Sequence, residues 1–541
     1  MSTSRFAFQS PSVSDEKGAY RMRAPRSTRP GSNLRHHTNE RQPELLSQNR
    51  KLAVLIALLT VATFMSFGMA FYLFTTRWTS PSFPLPVPAA DDTIKVAPFN
   101  ECNALLEQLR IDPHVKFLAY LPHSGFHNQR IAFENALVLS CLLNRTLLVP
   151  PIRLGSKTIR YLQFDKLRRF LVLGGKEGLE HCPNVPSDVP TPDECLDYDE
   201  YTLVPWEWLI DLTEVKTHQR LVRVSNFTTS WLLENLNITE DDMLLLRDTG
   251  PYDFRFLDSV HDISPSGHRY LESVYISDLA TSRARLVQIG TLFGSSRLRL
   301  KQEANKQIRR DIRRSMTFTN PALIQTANMI YRALGGVYLG AHIRLGDGHF
   351  IYDARDNARL IWWKLVQGVV GLDVQAVLAL EREALGMTDD DDELDPPLMV
   401  PDLPSRRVPH AALPSLPDSF LPVKPCRGRQ HTSASLSRLN IPLFIATDAI
   451  APESHPLLAL FLNTFPCTFF LSDFDEQTAH LDRIINSYDG VKMKSFLLPF
   501  LDAMVVGNAR EVAITEDSTF SAFIMDVLWR RYHGWEIVQR G

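Results

Sequence analysis

The sequence predicts an α/β protein of two lobes, each built on parallel strands, and three observations predict it. One is length: 541 residues is well beyond the ~250–300 residues at which a single hydrophobic core stops growing. Another is a strand, loop, helix and strand in succession over residues 115–149, the building block of a parallel sheet. The last is Gly336-Val337-Tyr338-Leu339-Gly340-Ala341-His342-Ile343-Arg344-Leu345-Gly346-Asp347, an apolar run ending in a guanidinium and a carboxylate. Short apolar runs alternating with helical stretches follow it from residue 441 onward, so the second lobe reads as α/β too. Hydrophobic residues make up 44% of the chain, charged ones 22%, and the formal net charge is -3. That balance is ordinary for globular material and argues against a nucleic-acid binder.

The chain begins with a basic, apolar-poor tail, residues 1–51, which reads as disordered and cytosolic. Residues 52–74 carry no charge, and at ~1.5 Å per residue they make about 34 Å of helix, enough to cross a bilayer core. With positive charge before it and no small-residue cleavage pattern, this segment reads as a retained signal anchor whose C-terminal side is lumenal. Residues 75–100 hold Pro81, Pro84, Pro86, Pro88 and Pro98 and read as a stem. All six cysteines, Cys102, Cys141, Cys182, Cys195, Cys426 and Cys467, lie beyond the anchor. An even number on the oxidising side suits disulfides, with Cys182–Cys195 as a local loop closure. Sequons at Asn144, Asn226 and Asn237 fit the same compartment, although Asn144 also suits a helix C-cap.

The first lobe, residues 101–335, opens with the strand at 115–121. Gly125-Phe126-His127-Asn128-Gln129-Arg130 comes next, at the start of a helical pattern that runs to Asn144. Its glycine and opening amides suit a phosphate or sugar at the positive end of a helix, and equally an ordinary strand-to-helix connection. The basic cluster from Arg297 to Arg314 reads as a solvated helix face without the aromatic interleaving that nucleic acid would need. A helix from Pro321 to about Leu334, capped by Asn320 and stopped by Gly335-Gly336, leads into the second lobe, residues 336–541. There Arg344 would meet an anion at the strand end, or pair with Asp347 to cap a core strand. The stretch from about 388 to 437, acidic and proline-rich, reads as a disordered insertion whose flexible carboxylates do not make a metal site. Ser518 and Thr519 stand where a strand hands over to an apolar helix, so hydroxyls and free amides there suit phosphate oxygens.

Taken in order, the Gly125–Arg130 block, Asn144-Arg145-Thr146-Leu147 with Pro150-Pro151, His342-Ile343-Arg344-Leu345-Gly346-Asp347, and Asp517-Ser518-Thr519-Phe520-Ser521 resemble the motifs of GDP-fucose protein O-fucosyltransferases. The resemblance spans residues 113–530 through short blocks. It implies a GT-B architecture, two Rossmann-like lobes facing a cleft, and inverting, metal-independent transfer of fucose from GDP-fucose to a protein or glycan hydroxyl. Its setting would be the Golgi or endoplasmic reticulum, in a single-pass type II membrane protein with a lumenal catalytic domain. By the resemblance, Arg344, Asn128 and Asp347 would be catalytic. Gly125, Phe126, His342, Arg344, Ser518, Thr519 and Phe520 would hold the nucleotide sugar, and no metal or cofactor would be needed. The chain departs from the family at Thr515-Glu516-Asp517, where some members have Gly-Asn, and at Asn128, where some have a glutamate base. An amide takes no proton at neutral pH, which leaves His127, Glu134, Asp347 or water for that task. Another nucleotide sugar, or a membrane-anchored binding protein on a retired transferase fold, are the alternative readings.

Overall fold

The run at 115–121 forms a strand over Phe117–Tyr120 (β1), and the one ending at Val149 forms Thr146–Val149 (β2). In the computed structural model the described residues are 94–96, 103–186, 188–225, 227–259, 269–346, 348–387, 396–397, 411, 413, 416 and 424–538. The expected tail (1–51) and membrane anchor (52–74) lie outside them. Among the described residues no helix is long and apolar enough to cross a membrane. One piece of the expected stem is a strand: Ile94–Val96 pairs in parallel with Ile484–Asn486, and Ser487 donates its hydroxyl proton to the Val96 carbonyl. Backbone pairing here overrides the extended-spacer reading that the prolines suggested.

Three further strands complete the first sheet, Leu221–Arg223 (β3), Met243–Leu246 (β4) and Leu286–Ile289 (β5), in the order β3-β2-β1-β5-β4, all parallel. The second sheet comprises Leu339–Ile343 (β6), Leu443–Thr447 (β7), Thr468–Phe469 (β8) and Glu511–Ile514 (β9), in the order β8-β7-β6-β9, again all parallel. The fold is therefore α/β with two main parallel sheets, beside a smaller parallel one of Phe254–Leu257, Glu272–Tyr275 and Leu298–Arg299, and the carboxyl edges of such sheets are where ligands are received.

Helices follow the sequence signals closely where caps are explicit. Phe126–Leu142 (α1) ends just before Asn144, whose φ of 50° is the left-handed conformation that asparagine tolerates. Glu303–Ser315 (α2) carries the basic cluster, and Pro321–Ala333 (α3) starts at Asn320, whose side chain accepts from Ala322 N and Leu323 N. Arg310 and Arg314 are paired on the surface as expected. Lys301 is exposed and Lys306 pairs with Glu303 on the surface, whereas Arg297 is buried and donates to three backbone carbonyls, and Arg313 bridges inward to Glu134. Lys494–Asn508 (α4) packs behind the second sheet.

Strand alternation on β6 sets up the site. Leu339, Ala341 and Ile343 face a core with Trp362, Trp363 and Phe461, while Gly340 and His342 face the other way. A Cβ on Gly340 would lie 2.8 Å from Ala509 Cβ and 2.9 Å from Val506 O, so a glycine is needed for α4 to approach. The two sheets share a buried cluster that includes Leu118 and Val287 of the first and Phe444 and Val512 of the second. Disulfides join Cys182 to Cys195, as expected, and Cys426 to Cys467. The second bridge anchors residues 424–437, the end of the expected disordered insertion, where Arg427 donates to Thr468 O and His431 Nε2 lies 2.9 Å from Thr464 O.

Candidate functional site

The carboxyl end of β6 carries Arg344 to the edge of the second sheet, where its side chain is 31% exposed rather than sealed in the interior. Its partner is Asp448, just past β7, at 3.1 Å from Nε. Asp347, the other expected partner, lies outside the described residues. Asp448 also accepts from Leu345 N at 2.7 Å and Gly346 N at 3.0 Å. One carboxylate thus fixes both the turn after β6 and the direction of the guanidinium. A Cβ at Gly346 would sit 2.7 Å from Asp448 Oδ2, so this close approach needs glycine.

From the neighbouring strand, Thr515 Oγ1 accepts from Arg344 N at 2.9 Å and lies 3.2 Å from His342 O. The chain then turns through Asp517, at φ 61°, into a helical segment that opens as Thr519–Ala522 (α5) and continues as a π-helix over Phe523–Trp529. Ser518 caps it, accepting from Ser521 N, while Thr519 is exposed and Phe520 half-buried. His342 Nδ1 lies 2.6 Å from Ser521 Oγ and its ring 5.1 Å from Phe520. Arg344, His342, Ser518, Thr519 and Phe520 therefore gather at one sheet edge. The Glu516 carboxylate, a departure from the family pattern, is neutralised by the buried Lys364 at 3.0 Å.

The first-sheet loop meets this edge through aromatic side chains. Phe523 packs 5.7 Å from Phe126 and 5.0 Å from His127, and Phe126 also stacks on Phe318 and meets Phe500 edge-on. Phe126 is thus part of the contact between the sheets, with its ring occupied by other rings. Gly125 leaves open space where a Cβ would stand. Asn128 is half-buried, and its Oδ1 has no hydrogen-bond partner. Of the groups considered as base, Glu134 is buried and bonded to Arg313 at 2.7 Å, with Arg130 at 3.8 Å, so it serves the interior. His127 is buried, its pKa held well below the usual value by desolvation and then by Arg130.

Desolvation, and then Arg344, lower His342 to about 3, so it stays neutral across the physiological range. The unfolded chain takes a proton below pH ~6.5 that the folded one refuses. Stability attributable to this residue is therefore full above that pH, falls as pH drops, and levels off near the folded value. Between pH 7 and pH 5, wild type should lose about 2 kcal/mol more than His342→Gln, at ~1.4 kcal/mol per unit. Urea midpoints for both chains at the two pH values measure it, and parallel curves would refute it.

Several site residues carried no signal in the sequence. Asp448 and Thr515 hold Arg344 and the turn after it in place, yet Asp448 is 103 positions from Leu345 and looks like any residue ending a strand. Among the described residues, one group of ligand-type side chains is close enough to hold an ion, His181 with Cys182 and Cys195, and its two sulfurs are joined in the disulfide.

No family model matches the chain. Over 37 residues it is 62% identical to O-fucosyltransferase 30 of Arabidopsis thaliana, a match spanning 7% of this chain and 7% of that relative's length. A crystal structure of POFUT1 in complex with GDP-fucose aligns with 75% of this chain and 99% of its own at 13% identity and a TM-score of 0.26. The POFUT1 apo-form aligns with 78% and 97% at 12% identity and a TM-score of 0.29. The short segment makes the chain similar to an O-fucosyltransferase, as a divergent relative.

Proposed function

We propose that this chain is a glycosyltransferase that moves fucose from GDP-fucose to a hydroxyl of a protein or glycan, with inversion and without a metal ion. In this reading the two parallel-sheet lobes make a GT-B arrangement, anchored in a Golgi or endoplasmic-reticulum membrane by residues 52–74 with the catalytic part lumenal. One observation supports it above others: a guanidinium oriented by Asp448 stands on the strand next to the one that leads into the Ser518–Thr519 helix start. A fixed cation and free opening amides at one sheet edge suit a diphosphate, and they would take up the charge that develops as the nucleotide departs. Ser518 and Thr519 would hold phosphate oxygens, and Phe520 and His342 would pack against the nucleotide or sugar. Across the aromatic contact, Gly125 and Asn128 would face the sugar and the acceptor. The 37-residue identity to an O-fucosyltransferase favours fucose as the sugar.

The test is thermal unfolding of the full chain in detergent with GDP, GDP-fucose, UDP, ADP and CMP in turn. A nucleotide present at 100 times its Kd stabilises by about 2.7 kcal/mol. The expected result is a clear rise in Tm with GDP and with GDP-fucose. Stabilisation by UDP alone would point to another donor, and none by any nucleotide would leave a binding protein on a retired fold.

A further inference from the structure

The carboxyl edge of the first sheet carries a second polar arrangement. His123, three residues past β1, is buried, and its ring nitrogens are both engaged: Nδ1 lies 2.7 Å from Ser124 Oγ and Nε2 lies 2.6 Å from Thr291 Oγ1. Thr291, two residues past β5, holds that position through its neighbours. Its Oγ1 accepts from Phe293 N at 3.1 Å, and its own N donates to Asp248 Oδ2 at 2.6 Å. The rings of Tyr161 and Phe293 cover the imidazole edge-on at 5.5 Å and 5.9 Å. In the tautomer with its hydrogen on Nε2, the ring donates to Thr291 Oγ1 and its Nδ1 accepts from the serine hydroxyl. Burial, and then Arg297, lower His123 to about 4, so the resting ring is neutral.

Ser124 is held unusually. Its φ of 66° is a conformation that residues other than glycine seldom adopt, and such backbone strain concentrates where function requires it. Two backbone ties hold the turn: Ser124 N donates to Ile159 O at 2.5 Å, and Gln129 Nε2 donates to Ser124 O at 3.0 Å. Ser124 is half-buried, and with His123 it lines a pocket of about 550 Å³, open solvent included, that also has Gln129, Arg153 and Ser225 on its wall. The next residue, Gly125, has nothing within 4 Å of where a Cβ would be. A hydroxyl aligned on a neutral imidazole, on a strained turn beside open space, is arranged for proton transfer rather than for packing.

The geometry points to Ser124 and His123 as the relay that activates the acceptor hydroxyl, Ser124 touching the acceptor and His123 taking the proton through it. The inference rests on the transferase reading and supplies the base that Asn128 cannot be. In the step, the acceptor oxygen bonds to the sugar's anomeric carbon as the bond from that carbon to the diphosphate oxygen breaks, its electron pair leaving with the nucleotide. The acceptor proton passes to Ser124 Oγ while the serine proton passes to His123 Nδ1. The imidazolium then returns its proton to solvent. Thr291 and Asp248 position the imidazole and take no proton.

The probe is hydrolysis of GDP-fucose, with water as the acceptor, by the full chain and by Ser124→Ala, Ser124→Gly and His123→Ala, with GDP affinity measured in parallel. Ser124→Gly suits the left-handed backbone and separates loss of the hydroxyl from a misfolded turn. The expected result is a fall in kcat of about 100-fold in all three, GDP affinity within about twofold, and partial recovery of His123→Ala, but not of the serine variants, by added imidazole. Wild-type kcat in Ser124→Gly or His123→Ala overturns the relay, and so does loss of kcat together with GDP affinity and without imidazole rescue. If wild type neither binds GDP nor hydrolyses the donor, the transferase reading fails by itself. The dyad is then read from phosphonylation by an alkyl fluorophosphonate, located by mass spectrometry. Labelling at Ser124 that disappears in His123→Ala upholds an activated serine, and an unlabelled Ser124 overturns it.

Discussion

Arg344→Ala is expected to lower turnover of GDP-fucose by about 10³-fold, because it removes the fixed cation nearest the proposed diphosphate. The fold should survive. The side chain is partly exposed, and the tie from its backbone N to Thr515 Oγ1 does not depend on it. Asp448 would still accept from Leu345 N and Gly346 N, so removing the guanidinium leaves no stranded carboxylate. Arg344→Lys should recover only part of the loss, since an ammonium cannot reach Asp448 and an anion with one planar fork. Asp448→Asn should cost at least about tenfold: an amide has one oxygen for the two backbone N–H groups that the carboxylate receives, and the charge that aims the guanidinium is gone. Initial rates of donor hydrolysis and GDP titrations on the four chains read these effects. Unchanged turnover in Arg344→Ala would remove the basis of the transferase proposal and return the Arg344–Asp448 pair to a strand cap.

The parts of this site that the sequence exposes are those whose physics is local. An apolar run that stops at His342-Ile343-Arg344 reads as a strand delivering a cation, and Asn320-Pro321 or Ser518-Thr519 reads as a helix start, because caps and periodicity act within a few residues. Strands β3, β4 and β5 did not stand out, being three or four residues long and lacking alternation, so periodicity cannot tell them from loop or helix. The role of Asp448 was illegible for another reason: its bonds to Leu345 and Gly346 depend on β6 and β7 lying side by side, which is a tertiary fact. Burial of Arg297 inside an apparently solvated basic cluster has the same origin, since two of the three backbone carbonyls that receive it, Phe254 O and Pro251 O, lie 43 and 46 positions away. His123-Ser124 carries no local signal beside Gly125, because the partner of His123, Thr291, is 168 positions away.

Lys176→Met should be the most destabilising single change described here, costing about 3–5 kcal/mol. The Lys176 and Asp489 side chains are 1% and 0% exposed and meet at 2.7 Å. Lys176 Nζ also donates to Tyr198 O and Tyr201 O, each at 2.6 Å, and lies 4.1 Å and 4.5 Å from the centres of those two rings. On the other side, Asp489 Oδ2 accepts from Thr202 Oγ1 at 2.8 Å, and Asp489 O accepts from the Tyr198 hydroxyl at 2.7 Å. Asn486 extends the network to Thr202 Oγ1 and Leu203 O. The pair thus fastens residues 176–203 to 486–489, beside the strand pairing of Ile94–Val96. Removing the ammonium strands a buried carboxylate and two carbonyls; Asp489→Asn instead strands a buried cation, at a similar cost. The double change Lys176→Met with Asp489→Asn buries no charge. It should therefore cost at least ~2 kcal/mol less than the sum of the single changes, a coupling that marks a desolvated pair rather than two independent contacts. Urea unfolding of the four chains, compared by midpoint and slope, measures the cycle. A loss below about 0.5 kcal/mol for Lys176→Met would mean that water reaches the pair and that the two segments are not fastened there, as for an exposed ion pair.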